Sequence, residues 1–441
     1  MSTLNPYYYL YKIRMSSQKV KEGTLFLNKE QLEKFNFQIG QKLELVVGFT
    51  TLSVSIMEQD FDNTLAIFYL SPNIYTKLIY YQGEALCLTY FSPTTIVLGI
   101  TLAIITSPKT FKKISKSKVL RARALLALKK GIVFYCICQN SVDQTNNILE
   151  AFILDSKNNL WVKKRLPPPQ VFYTRSFFTR KHFLDKLWIN SVHFFDKWSI
   201  YQALSSCPDT ASFQPQTDLL SLDNLADFLQ KYKFVFIKII YGRCGCQVVR
   251  VEKNNKHFFC KSGGKKIKVQ RFQSLNGLYK YVKNTLGSNL IIQQGISLKR
   301  LNNHPFDMRV LVQKNINGQW HLTAVSLRIA KPQAIVTNVA QGAKEVVLTP
   351  PDKLPWLSWE KLWEYSLKSL ASLERKFGPL GEVGLDIALD MEGRLWLLEA
   401  NSHPSSKGYL EAAPKEVCNQ IFGLPLDYAK YLVHNKYKSQ S

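Results

Sequence analysis

The chain has 441 residues, an ordinary apolar share of 46% and a formal net charge of +26. That length asks for two or three units with sizeable buried cores, and the composition, rich in aromatics, excludes disordered, coiled-coil and collagen-like chains. So large a positive charge draws anionic partners such as nucleic acid, acidic lipid or acidic polymer, and nothing beyond charge speaks for nucleic acid.

Taken in chain order, residues 1–104 hold short Val-, Ile-, Thr- and Tyr-rich runs broken by Gly40, Gly48, Pro72, Gly83 and Pro93, which predicts a small antiparallel β domain. Its start shows no basic stretch ahead of an apolar core, and its most apolar run, 94–106, is shorter than the about 20 residues a bilayer span needs. No transmembrane segment is expected. Eight scattered cysteines without paired CxxC blocks fit a reduced, cytoplasmic compartment.

Residues 105–182 read as a small α/β unit that ends in the linker Pro167-Pro168-Pro169. It opens with nine basic and no acidic residues between 109 and 130, either a basic amphipathic helix or a solvated helix covering its own domain. From 183 to 437 strands and helices alternate. Within that span 359–377 is a clear amphipathic helix through Leu362, Leu367, Leu370 and Leu373, stopped by Gly378-Pro379.

Two stretches carry chemistry. Residues 233–251, KFVFIKIIYGRCGCQVVRV, predict a strand, a tight loop and a second strand. Lys238 sits near the loop, and Gly242 and Gly245 would let backbone N–H groups approach an anion. Residues 383–401, VGLDIALDMEGRLWLLEAN, predict a hairpin about Asp390-Met391-Glu392-Gly393. If Leu389 opposes Arg394, then Asp386 opposes Leu397 and Gly384 opposes Glu399. Asp386, Glu399 and Asn401 then share one face, and two carboxylates with an amide are hard oxygen ligands suited to Mg²⁺ bound with a phosphate.

The phrases LPPPQVFYTR, NSVHFFDKW, IIQQGISL, HPFDMRVLVQK, AIVTNVAQGA and GRLWLLEANSHP, in this order, resemble the ATP-grasp superfamily, and within it the YheC/YheD-like proteins described as endospore coat-associated in spore-forming bacteria. The resemblance implies a multidomain α/β and α+β chain with an ATP-grasp domain at 183–437, a pre-grasp-like α/β unit before it and a β-rich N-terminal domain. It implies ATP and Mg²⁺ as cofactors. Lys197 and Lys238 would contact phosphates, Gln293, Gln294 and Ile296 would form the adenine-facing hinge, and Asp307 would contact the ribose or an arginine. Arg309 and Arg328, with Asn338, would steady the transferring phosphoryl group. The activity implied is carboxylate–amine ligation through an acyl phosphate, on unidentified carboxylate and amine substrates; an acidic polymer or spore coat components would suit the basic surface. Arg243 and Gln247 depart from the family's glycine loop. The alternative implied by that departure is a coat structural or assembly protein that keeps the fold without turnover.

Overall fold

The computed structural model describes residues 10–18, 20, 22–60, 67–78, 85–143, 148–176, 178, 183, 185–192, 194–242, 247–263, 267–348 and 356–440. The chain divides into two compact units: Met1–His193, Lys314–Gln319 and Cys418–Ser441 form the first, Phe194–Gln313 and Trp320–Val417 the second. No helix among the described residues is long and apolar enough to cross a membrane.

In the first unit β1 (Leu10–Met15), β2 (Thr24–Leu27), β3 (Lys42–Val47), β4 (Thr50–Glu58), β5 (Ile67–Leu70), β6 (Ala85–Ser92) and β7 (Thr95–Leu98) close a barrel in the order β1-β5-β2-β4-β3-β7-β6. Alternation fills it: Leu52, Val54 and Ile56 of β4 point inward with Leu25, Leu27, Phe68 and Leu70. The expectation of an antiparallel domain is corrected, because β1 and β5, β2 and β4, and β3 and β7 pair in parallel.

The next strands form a separate sheet. They are β8 (Ile100–Thr106), β9 (Ile132–Cys138), β10 (Val142–Asp143), β11 (Ile148–Asp155), β12 (Leu160–Leu166), β13 (Val171–Thr174) and β14 (Leu187–Trp188). Strand β8 lies parallel to both neighbours and is buried throughout, as a strand covered on both faces must be. The basic stretch is not one continuous helix. It breaks into Pro108–Lys112, a 3-10 turn at Ile114–Lys116 and a helix Lys118–Lys129 begun by the Ser117 cap. Leu120, Ala124 and Ala127 pack inward, with the Arg123 guanidinium 5.1 Å from the Tyr173 ring and 5.0 Å from that of Phe422. Leu426, Ala429 and Val433 complete the same core, and Asp427 pairs with Lys130 at 2.7 Å.

The second unit holds two sheets. The first runs β15-β20-β16-β17-β18-β19, from β15 (Thr217–Leu219), β16 (Phe234–Ile239), β17 (Val248–Lys253), β18 (Phe258–Ser262), β19 (Lys268–Phe272) and β20 (Leu290–Gln294). Helices Leu222–Lys231 and Leu275–Leu286 cover one face, meeting Val235, Ile237, Val249 and Val251. Alternation therefore turns Phe234, Phe236, Lys238 and Arg250 to the other face. The second sheet comprises β21 (Arg300–Leu301), β22 (His304–Lys314), β23 (Trp320–Ile329), β24 (Lys344–Leu348), β25 (Glu382–Leu389) and β26 (Leu395–Asn401), ordered β24-β23-β22-β25-β26 with β21 paired to β22. The amphipathic helix Trp359–Phe377 forms as predicted. Ser358 caps its start, and Gly378 ends it at φ 79°, a conformation that suits glycine.

Candidate functional site

The hairpin of β25 and β26 places Asp386 opposite Glu399 and Gly384 opposite Asn401, with a bulge between Asp386 and Ile387. The expected register, Asp386 against Leu397 and Gly384 against Glu399, is corrected. The hairpin already opposes Leu389 to Leu395 rather than Arg394, and one extra residue on β26 at the bulge adds the second step of the shift. Directly opposed residues share a face, so Asp386, Glu399 and Asn401 still come to the same side.

Asp386 is not an open carboxylate. One oxygen accepts Nε of Arg309, and the other accepts Arg309 Nη2 and Arg328 Nη1, each at 3.0 Å. Arg328 forks the other way as well, with Nε 2.7 Å from Oδ1 of Asp307 and Nη2 on Oδ2, which also accepts the Thr337 hydroxyl. Adjacent strands fix this lattice, since Arg309 on β22 sits directly opposite Asp386 on β25. Asp307, Arg328 and Asp386 are all buried, so charges that would be costly alone are held as hydrogen-bonded pairs. Burial opposes ionisation of Asp386, but the guanidinium charges of Arg309 and Arg328 outweigh it and hold the carboxyl below its usual range. Burial pushes the Asp307 carboxyl up against the pull of Arg328. Arg328, despite desolvation, is held charged by Asp307 and Asp386.

The two lysines lie on the same side of the unit. Lys197, the first residue of the helix Lys197–Ser205 capped by Asp196, donates to the Gly242 carbonyl at 2.6 Å and stands 3.6 Å from Glu399. Lys238 donates to Gln293 Oε1 at 2.6 Å, and Gln293 in turn donates to Thr217 Oγ1 at 2.9 Å. Burial first, then the nearby charge of Lys197, brings the Lys238 ammonium down to about 8. Gln294 accepts the Gln216 N–H at 3.1 Å and Ile296 is buried, so the residues expected to form the hinge lie at and just beyond a bonded strand end.

These groups surround a cavity of about 360 Å³, within the size range of small-molecule sites. Lys197, Lys233, Lys238, Arg250, Arg300 and Arg328 line it against Asp307, Asp386 and Glu399, so among the described residues the lining is cationic by three. Gly242, Gln293, Gln294, Ile296 and Asn338 line it too, whereas Arg309 and Asn401 are not part of the lining. Gly242 is required by packing, since a Cβ there would come within 2.3 Å of Ile239 Cγ2, and it offers Lys197 its carbonyl. Gly245, with Arg243, lies outside the described residues; Gln247 lines the cavity.

Among the described residues no group of three or more His, Cys, Asp or Glu side chains is arranged to hold a metal ion. Glu399 and Asn401 nevertheless fit a hard cation that takes its remaining oxygens from a phosphate, the usual habit of Mg²⁺. Asn401 would give such a cation its Oδ1, while its Nδ2, a donor buried without a hydrogen-bond partner among those residues, suits a phosphate oxygen instead. Of the three residues expected to take magnesium, Asp386 would share its oxygens with the guanidinium groups of Arg309 and Arg328.

Sequence reasoning missed Thr217, Phe234 and Arg250. Arg250 stacks 3.8 Å over the Phe234 ring and pairs with Glu252 at 2.6 Å. Strand parity with Lys238 was the available signal for Phe234 and Phe236. Nothing local in the sequence marks Thr217 as the residue that orients Gln293.

The comparisons agree with this architecture. The chain is 26% identical over 399 residues to the endospore coat-associated protein YheD of Bacillus subtilis (strain 168), covering 82% of this chain and 85% of that protein. It is 23% identical over 304 residues to YheC of the same organism, covering 64% and 84%. Among solved structures it is similar to the D-cycloserine synthetase DcsG at 13% identity and TM-score 0.47, covering 75% of this chain and 99% of that one. The model of the YheC/D-like ATP-grasp family matches residues 185–432, more than half of the chain, and the protein belongs to that family.

Proposed function

We propose that this protein binds ATP with Mg²⁺ and ligates a carboxylate to an amine through an acyl phosphate. The observation that carries the reading is the cationic cavity in which Lys197 and Lys238 stand beside Glu399 and the Asp307–Arg328–Asp386–Arg309 lattice. Lys197 and Lys238 would hold the phosphates, and Gln293, Gln294 and Ile296 the base. Glu399 and Asn401, with Asp386, would hold magnesium, which when bound neutralises phosphate charge. Arg328, fixed by two carboxylates, presents a guanidinium that needs no reorganisation as charge moves on the phosphoryl group, and Asn338 lines the same cavity.

In the reaction a substrate carboxylate oxygen bonds to the γ-phosphorus while the bond to the β,γ-bridging oxygen breaks, giving an acyl phosphate and ADP. The amine nitrogen then adds to the acyl carbon, phosphate leaves, and the amine proton passes to solvent. Association with an endospore coat is part of the proposal and is supported by the names of the relatives.

A second reading, a coat assembly protein that does not turn over, is favoured by one observation: both oxygens of Asp386 are occupied by guanidinium groups. Calorimetry of ATP binding, with and without Mg²⁺, separates the two. Magnesium-dependent binding that disappears in an Asp386→Asn, Glu399→Gln double variant, followed by acceptor-dependent ADP release, is expected. A folded wild-type protein that binds no ATP would leave the scaffold reading.

A further inference from the structure

Strand β19 ends its sheet. Its ladder partner is β18, and its outer edge has no strand partner among the described residues. Lys268, Val269, Gln270 and Arg271 are all exposed, Val269 at 54%, and Ile267 just before the strand at 38%. Among the described residues Lys268 and Arg271 make no ion pair, unlike Lys261 on β18, which pairs with Glu252 at 2.9 Å. The sequence from 261 to 271, KSGGKKIKVQR, holds five basic residues and no acidic one.

An open edge offers a row of backbone donors and acceptors to any extended chain, and lysines on the edge are a common device against self-pairing. Two copies of this edge brought together would oppose cation to cation. The same charges leave it open to a strand of opposite sign, and strand addition takes affinity from main-chain bonds and specificity from alternate side chains.

We propose that the free edge of β19 docks an acidic, extended segment of a protein partner by strand addition. Directly opposed residues share a face. Antiparallel to β19, the matching segment carries acids opposite Arg271 and Lys268 and apolar residues opposite Val269 and Ile267, giving the pattern acid–polar–apolar–acid–apolar. The surface is separate from the cavity chemistry and stands whether or not the protein is a ligase.

The test is fluorescence anisotropy of the full chain with a labelled, end-blocked peptide containing Glu-Thr-Val-Glu-Val. Saturable binding is expected, weakened about tenfold or more in a Lys268→Glu, Arg271→Glu variant. N-methylation of one alternate set of peptide amides should abolish binding, and methylation of the other set should leave it. If the double variant proves unfolded by circular dichroism, Arg271→Glu alone is read in its place. No binding, undiminished binding to the variant, or equal effects of the two methylated peptides would overturn the proposal. So would a single-stranded oligonucleotide of equal charge competing as well as the peptide, since that would make the edge a general polyanion surface.

Discussion

Arg328 is the residue on which the buried lattice turns, because among the described residues it alone pairs with both Asp307 and Asp386. With two arginines and two aspartates the lattice is neutral; Arg328→Met leaves it one negative charge in excess among buried groups. Removing one partner of a buried ion pair costs about 3–5 kcal/mol, so that variant should unfold at markedly lower denaturant concentration. An Asp307→Asn, Arg328→Met variant should recover part of the loss; equal destabilisation of the two would mean that the charge balance is not what matters. Lys238 supplies a pH signature. Its ammonium titrates near 8 in the folded protein because burial and Lys197 disfavour the charge, whereas a bound polyphosphate favours it. ATP affinity should be full below pH 8 and fall as pH rises through about 8, well before the 10.4 of a free lysine. Calorimetry across that window should lose the fall in Lys238→Arg.

Elements bring these residues together, and the close approach of Gly295 to Phe234 shows how tightly. A Cβ on Gly295 would come within 2.1 Å of the Phe234 ring, and Gly295 N–H donates to the Phe234 carbonyl. Gly295→Ala should therefore force β20 and β16 apart, at about 1–3 kcal/mol for an overpacked site, and should weaken ATP binding by moving Gln293 away from Lys238. Unchanged thermal unfolding in that variant would show that the hinge yields freely. Much of this was legible in the sequence: the helix Trp359–Phe377, the strands on either side of the glycine loop, and the shared face of Asp386, Glu399 and Asn401 all follow from periodicity and turn chemistry. The β26 register was not, because neither the turn that opposes Leu389 to Leu395 nor the bulge that adds a further residue carries a local mark. The parallel barrel pairs and the dispersal of the basic stretch were hidden for the same reason: which strand or core a segment meets is decided by partners far away in the chain. The engagement of Asp386 by Arg309 belongs there too, since the two residues are 77 positions apart.

Across the whole molecule the charge of +26 acts on every anion in solution, so binding by itself does not locate a site. Salt distinguishes surface from cavity. Exposed lysines and arginines act through a solvent in which the field decays over about 8 Å at physiological ionic strength, whereas partly buried pairs are screened much less. A long polyanion held at six or more surface charges should lose about 10³-fold in affinity between 50 and 200 mM salt. ATP in the cavity, held by the desolvated Lys238 and the buried Arg328, should lose far less over the same range. Parallel titrations of ATP and of a polyphosphate, each against salt, make the comparison on one preparation. A shallow dependence for ATP beside a steep one for the polymer assigns the nucleotide to the cavity; equally steep curves would mean that ATP binds the surface field and that the Lys197, Lys238 and Glu399 cluster does not hold it.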